Sequence, residues 1–278
     1  MSAGAIEWLA PSTLRDAIAL RAERGDEATV IAGGTFVGIL MNQGFLSPPA
    51  LLSLGGVGEL RGIEVVDGEL RLGAMVTHRD VERDARVRAG WPVLARMFAL
   101  VASPRVRNQA TIGGVLADAD YASDPPAMLE ALGARAVLRS PARERTVAIE
   151  ELILGYYETC IADDELLVEV RVPAAPERAV YRKFRSRSSE DRPCVAVAAV
   201  RDGQRLRVVV GAVAERPQEF PEVCALAGGR ELDRALATKI GAGYAERVAA
   251  IDDVRGSAAY RRRVTAVEVR RAIEELAA

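Results

Sequence analysis

The sequence predicts an α+β protein: two α/β subdomains followed by a small C-terminal domain of antiparallel sheet plus helices. Three observations point there. The 278 residues exceed the roughly 100–200 of one domain, so more than one core is expected. Up to a proline- and alanine-rich stretch at 173–177, short apolar strand patterns alternate with helical ones. Beyond it the pattern changes to longer alternating strands and then to helices. The expected division is 1–176, itself split into about 1–56 and 57–176, and then 177–278.

The elements follow in order. Thr13, with Asp16 three places on, opens a helix that Gly25 ends. A strand at 29–32 runs into Gly33-Gly34-Thr35, a short helical stretch to Met41 and a second strand at 51–54, a small βαβ-like unit. Asp67-Gly68 joins two strand-like runs over 62–76, a strong hairpin signal. Helices start near Thr77 and cover 92–101. Thr111-Ile112-Gly113-Gly114 reads as a second glycine turn, and Asp124 before Pro125 as the cap of a helix covering 128–132. Strands are expected at 136–138, 145–149 and 165–172. After the linker come strands at 194–201 and 205–213, joined by Asp202-Gly203. Helices then run from Glu231 to the end, the last capped by Ser257 and carrying Val264, Val267 and Leu276 on or near one face.

Composition narrows the function. Hydrophobic residues make up 50% and charged residues 27%, the balance of a folded globular chain. Lys plus Arg number 37 against 39 Asp plus Glu, and a net charge of -2 offers no field to gather nucleic acid or an anionic membrane. The longest apolar run, 194–200, is far short of the ~20 residues of a membrane span, and 1–10 lacks the pattern of a secretory signal. A soluble, cytoplasmic protein with neither nucleic-acid nor membrane partners is expected. Cys160, Cys194 and Cys224 are widely spaced and read as small core residues. With His78 the only histidine, neither a metal site nor a Ser/His/Asp triad is expected.

The chemistry lies in the glycine pairs. A diglycine after a strand lets backbone approach a ligand and lets N–H groups converge on an anion. Either pair alone more often closes a plain turn. Two of them, each flanked by a threonine, Thr35 or Thr111, suit the two phosphates of a dinucleotide. There is no Gly-x-Gly-x-x-Gly and no Gly-Lys-Ser/Thr, so a nicotinamide Rossmann domain and an ATPase both recede. Arg105, Arg107 and Asn108, upstream of the second pair, can serve phosphate, a partner or solvent.

Several motifs together resemble a known family, the FAD-binding medium subunits of molybdenum hydroxylases of the carbon monoxide dehydrogenase and xanthine dehydrogenase type. They are the segments 31–35, 73–77, 104–114 and 120–126, Tyr157 with Thr159, and 164–167, 181–184, 253–257 and 260–261. The run 107–114, Arg-Asn-Gln-Ala-Thr-Ile-Gly-Gly, is the most specific. The resemblance implies a fold of the FAD-binding PCMH (vanillyl-alcohol oxidase-like) type, in which the first two units clasp an extended FAD and the last closes over it. It implies a flavoprotein subunit that works beside a large molybdopterin subunit and a small iron–sulfur subunit, in a dimer of heterotrimers. Electrons would pass from molybdenum through the clusters to FAD and on to an external acceptor, leaving this chain no hydroxylation of its own.

Cofactor contacts are implied at Val30 and Ile31, then at Ala32, Gly33, Gly34, Thr35, Phe36 and Val37 and at Thr111, Ile112, Gly113 and Gly114 around the pyrophosphate. Asp124 would hold a ribose or ribityl hydroxyl; a helix N-cap is its plainer role. Leu166 or Leu167 would pack on the flavin, with Lys183 nearby. Arg192 stands where the family has a bulky apolar residue near the flavin ring; it would lie over the ring, or else pair with Asp191 or Glu190. Two departures are Val115, where the family carries Asn, and Phe36, where it is commonly polar. They leave open a scaffold that has lost FAD. A stand-alone flavin reductase is the other alternative.

Overall fold

The computed structural model describes residues 6–188 and 190–278. In the first unit, β1 (Glu7–Leu9), α1 (Leu14–Arg24), β2 (Ala28–Ile31), α2 (Val37–Asn42) and β3 (Ala50–Ser53) build a three-stranded parallel sheet in the order β1-β3-β2. The hydroxyl of Thr13 accepts from Asp16 N at 3.1 Å, and Gly25, at φ 53°, ends α1. β2, α2 and β3 form the expected crossover; β1, short and half exposed, gave no apolar period to read.

The second unit opens with β4 (Ile63–Val66) and β5 (Glu69–Gly73). Asp67 and Gly68, at φ 52° and 81°, make the tight turn between them. Helices α3 (His78–Arg83), α4 (Ala85–Gly90), α5 (Pro92–Ala99), α6 (Pro104–Arg107), α7 (Ile112–Asp118) and α8 (Pro125–Ala131) precede β6 (Arg135–Arg139) and β7 (Glu144–Ala148). Then come α9 (Ile149–Leu152), the small ribbon β8 (Ile153–Gly155) and β9 (Glu158–Thr159), and β10 (Leu166–Val172). The sheet order is β4-β5-β10-β6-β7, every pairing antiparallel.

The third unit holds β11 (Arg178–Phe184), β12 (Val195–Asp202), β13 (Arg205–Gly211) and β14 (Gln218–Glu219), an antiparallel sheet in that order. It closes with α10 (Pro221–Cys224), α11 (Arg234–Arg247) and α12 (Ala258–Ala277). The apolar run of β12 is explained by its two faces. Val195, Val197 and Ala199 join the core under α11 and α12, whereas Ala198 and Val200 join the core of the second unit. Where the sheet meets α8, a Cβ on Gly211 would approach the Ala127 methyl to 2.9 Å, so glycine sets that spacing.

Three local expectations need correction. α8 begins at Pro125, and the Asp124 side chain makes no capping bond; it is drawn into the site described below. α11 starts at Arg234, capped by the Asp233 carboxylate, which accepts from Leu236 N at 2.7 Å. On α12, Val264 and Leu276 are buried but Val267 faces outward. The buried stripe instead includes Arg261, Thr265 and Glu268. Partners distant in sequence pull these polar residues in: Arg182 reaches Glu268 at 2.8 Å, and Arg261 donates to the Cys194 carbonyl at 2.5 Å and pairs with Asp253.

Cys194 and Cys224 are buried and Cys160 half-buried, all free thiols. No helix among the described residues is long and apolar enough to cross a membrane.

Candidate functional site: a cleft for a dinucleotide

The three units meet around a cleft of about 970 Å³. One wall is the loop that follows β2. There a Cβ on Gly33 would come within 1.8 Å of the Gln109 carbonyl oxygen, so only glycine lets this loop touch the turn between α6 and α7. Gly34 has φ +69°, a conformation glycine adopts without steric cost. The diglycine therefore answers two different backbone demands. Among the described residues, the N–H groups of Gly33, Gly34, Thr35 and Phe36 donate to no other protein group. All four residues line the cleft. Backbone donors left without protein partners in a concave site are suited to an anion such as a pyrophosphate.

The facing wall is the start of α7, and the expectation of a second glycine turn is corrected here. Thr111 is the N-cap, and Gly113 and Gly114 lie inside the first helical turn. Their donors are already used: Ile112 N bonds Val76 O and Gly113 N bonds Ala74 O, each at 2.9 Å, while Gly114 N bonds the Thr111 hydroxyl at 3.1 Å. A Cβ on Gly113 would lie 2.6 Å from that of Ala74, so this glycine lets α7 press onto the end of β5. A Cβ on Gly114 would reach Ala32 at 3.9 Å. The second pair thus supplies close approach, and the first supplies the unpaired donors.

Deeper in, Asp124 is held by two residues of β11. Tyr181 donates its hydroxyl at 2.7 Å, and Lys183 approaches the other carboxylate oxygen at 2.8 Å while also donating to Leu100 O at 2.9 Å. The Lys183 and Asp124 side chains are 1% and 4% exposed, so this is an ion pair sealed from water. Burial raises the Asp124 carboxyl above its ordinary range against the pull of Lys183, and it raises the Tyr181 phenol well above its own.

At the mouth, Arg192 pairs with the buried carboxylate of Asp120. That corrects the expectation of a pairing with Asp191 or Glu190; Asp191 instead accepts from Ser188 N at 3.0 Å. Asp118, one helical end away, is pushed up to about 7 by burial and by the Asp120 charge, with Arg192 opposing. The Phe36 ring stacks on Tyr157 with centroids 5.7 Å apart, which gives this apolar residue a packing role beside the loop.

Val30, Ala32 to Val37, Thr111, Gly113, Gly114, Asp124, Leu167, Lys183 and Arg192 line the cleft, together with Leu166 and Val115. Ile31 and Ile112 do not. Ile31, the last residue of β2, stays out of the lining, and Ile112 is fully buried in the core of the second unit. Asp118, Ser123 and Arg255 also line it and escaped sequence reasoning, because only the tertiary fold carries them there.

His78 lines the same cleft but is 2% exposed and packs against Phe98, ring centroids 4.9 Å apart. Burial, with the Arg107 charge adding and the nearby Thr111 backbone opposing, lowers it from 6.5 to about 4. The folded protein therefore refuses a proton that the unfolded chain accepts below pH 6.5. Stability contributed by neutral His78 is full above that pH and falls by on the order of 3 kcal/mol as the pH drops towards 4. Asp118 and Glu130, whose carboxyls are raised to about 7 from 3.8 and 4.5, move the other way over nearly the same range, gaining stability as the pH falls from 7. Urea unfolding of the protein and of His78→Phe at pH 7 and 5 isolates the histidine: the variant should lose less stability on acidification.

Known proteins decide which dinucleotide the cleft takes. Residues 4–175 match the family model described as the FAD binding domain in molybdopterin dehydrogenase, and residues 179–276 the CO dehydrogenase flavoprotein C-terminal domain. The chain belongs to this family of FAD-binding medium subunits. It is 30% identical to the nicotine 6-hydroxylase medium subunit of Paenarthrobacter nicotinovorans over 100% of this chain and 99% of the relative. It is also 30% identical to the carbon monoxide dehydrogenase medium chain of Hydrogenophaga pseudoflava, over 96% and 95%. Its fold superposes on a chain of quinoline 2-oxidoreductase from Pseudomonas putida 86 with a TM-score of 0.93, at 30% identity, covering 100% and 98%. As a medium subunit of the molybdenum hydroxylase family, the chain is a flavoprotein of an oxidoreductase, and its cofactor is FAD.

Proposed function

We propose that the chain holds FAD extended through the cleft and relays electrons, taking them from the iron–sulfur clusters of a small partner subunit and delivering them to an external acceptor. Substrate oxidation falls to a large molybdopterin subunit, and the three subunits pair into a dimer of heterotrimers. The four unpartnered N–H groups of 33–36, in a cleft that ends at the sealed Asp124–Lys183 pair, carry this reading. The "medium subunit" and "medium chain" names of the relatives support the division of labour.

In this reading, residues 1–56 and 57–176 contribute the two walls and 177–278 the cover. Val30 and Ala32 flank the loop whose donors at Gly33, Gly34, Thr35 and Phe36 bind the pyrophosphate; Val37 closes it, and Thr111, Gly113 and Gly114 press on the other side. Asp124, its oxygens already positioned by Tyr181 and Lys183, accepts from a ribose or ribityl hydroxyl. Leu167 packs on the ring system, and Arg192, braced by Asp120, stands at the mouth. Bound FAD supplies a redox centre that can be filled one electron at a time and emptied two at a time. The protein orients it and limits water. The relatives that share this architecture are named for nicotine, carbon monoxide and quinoline, as expected if substrate choice lies on another subunit.

The test uses the whole complex. Stripping its FAD should abolish acceptor reduction while substrate still bleaches the metal centres, and added FAD should restore turnover. Acceptor reduction that persists without flavin overturns the relay.

A further inference from the structure

Outside the FAD cleft, α8, α9 and the segment 216–221 that contains β14 surround a second hollow of about 420 Å³. Three carboxylates reach it from three elements, Glu130 on α8, Glu150 on α9 and Glu219 on β14, each with an oxygen within 4.8 Å of the others. Arg207 on β13 organises two of them. Its Nε donates to Glu219 Oε2 at 2.8 Å, and its Nη2 lies 2.8 Å from Glu150 Oε2 and 2.7 Å from Glu219 Oε2. Its Nη1 donates to the backbone carbonyl of Glu130 at 2.5 Å. The guanidinium therefore engages Oε2 of both glutamates and leaves Oε1 of each available.

Glu130 is the telling member. It is 6% exposed, and among the described residues its carboxyl group has neither a hydrogen bond nor an ion pair. Its carboxylate oxygens open into the hollow and meet no protein donor, and burial of the residue, with Arg207 opposing and the two neighbouring glutamates adding, pushes this carboxyl up to about 7. Three carboxylates against Arg207, with the exposed Arg216 also lining the hollow, leave the cluster net negative when all ionise. Four carboxylate oxygens remain unengaged there, two from Glu130 and one each from Glu150 and Glu219.

We propose that this hollow binds one hard divalent cation, with Glu130, Glu150 and Glu219 as ligands and Arg207 orienting the latter two from outside the coordination shell. Calcium is favoured over magnesium, because carboxylates from three separate elements suit its irregular, multidentate oxygen shell better than a strict octahedron. Bound there, the ion clamps the sheet edge of β13 and β14 onto α8 and α9. The site neither touches nor depends on the flavin assignment.

Calorimetric titration of the full chain with CaCl2, and separately with MgCl2, tests it, alongside thermal unfolding with and without chelator. Expected are one saturable calcium site per chain, with Kd at or below about 1 mM, and a rise in Tm that chelator reverses. Glu130→Gln keeps the shape of the side chain and should weaken binding by at least about tenfold without changing flavin content. Glu150→Gln, at a half-exposed side chain that folding tolerates, should weaken it as well. No saturable uptake of either ion, or undiminished affinity in both variants, overturns the site.

Discussion

Replacing Gly34 with Val removes most of the flavin while the protein stays folded. The site is roomy: a Cβ would meet only the Ile31 side chain, at 3.5 Å. The difficulty is the backbone, since φ +69° costs a β-branched residue about 1–2 kcal/mol or forces the loop into another conformation. Either outcome moves the N–H groups of 33–36 away from the pyrophosphate, and each 1.4 kcal/mol lost is about tenfold in Kd. Flavin per chain after gel filtration should fall at least about tenfold, with circular dichroism unchanged. Gly33→Ala is a useful contrast. Its Cβ would collide with the Gln109 backbone, so this variant should lose stability as well as flavin. Full flavin occupancy in Gly34→Val would remove the loop from the binding site.

Lys183→Met destabilises the fold by about 3–5 kcal/mol, the scale on which a buried charge left without its partner is penalised. Asp124 stays behind, 4% exposed, with Tyr181 as its remaining donor. Adding Asp124→Asn to Lys183→Met should recover part of the loss, because the uncompensated carboxylate is then gone. Urea unfolding of the two single variants and the double variant measures the coupling. A loss within the 0–1 kcal/mol of an exposed ion pair would show that the seam between α8 and β11 is open to water.

Much of the architecture was legible because its signals are local. The Thr13 cap, the Asp67-Gly68 turn, Pro125 at the start of α8 and the apolar run 195–200 of β12 each fix structure within a few residues. β11 was not legible. Its Arg178, Arg182 and Lys183 are satisfied by Leu276 O, Glu268 with Glu275, and Asp124, groups far along the chain, so the strand carries charges where a reader expects alternation. The same reason hid the partners of Asp124 and Arg192, which only folding brings near: Lys183 in one case and Asp120 in the other. Both glycine pairs were visible, but their division of labour was not. The carbonyls of Ala74 and Val76, which consume the donors at the start of α7, belong to a distant segment.

That the cleft between the loop of 33–36 and α7 holds FAD is tested most directly by titrating the apoprotein with FAD, following flavin fluorescence, with and without ADP as competitor. One FAD per chain should bind, and ADP, which carries the adenosine and pyrophosphate but no flavin, should displace it competitively. Saturable FAD binding that ADP leaves untouched would contradict a pyrophosphate held at Gly33 to Phe36.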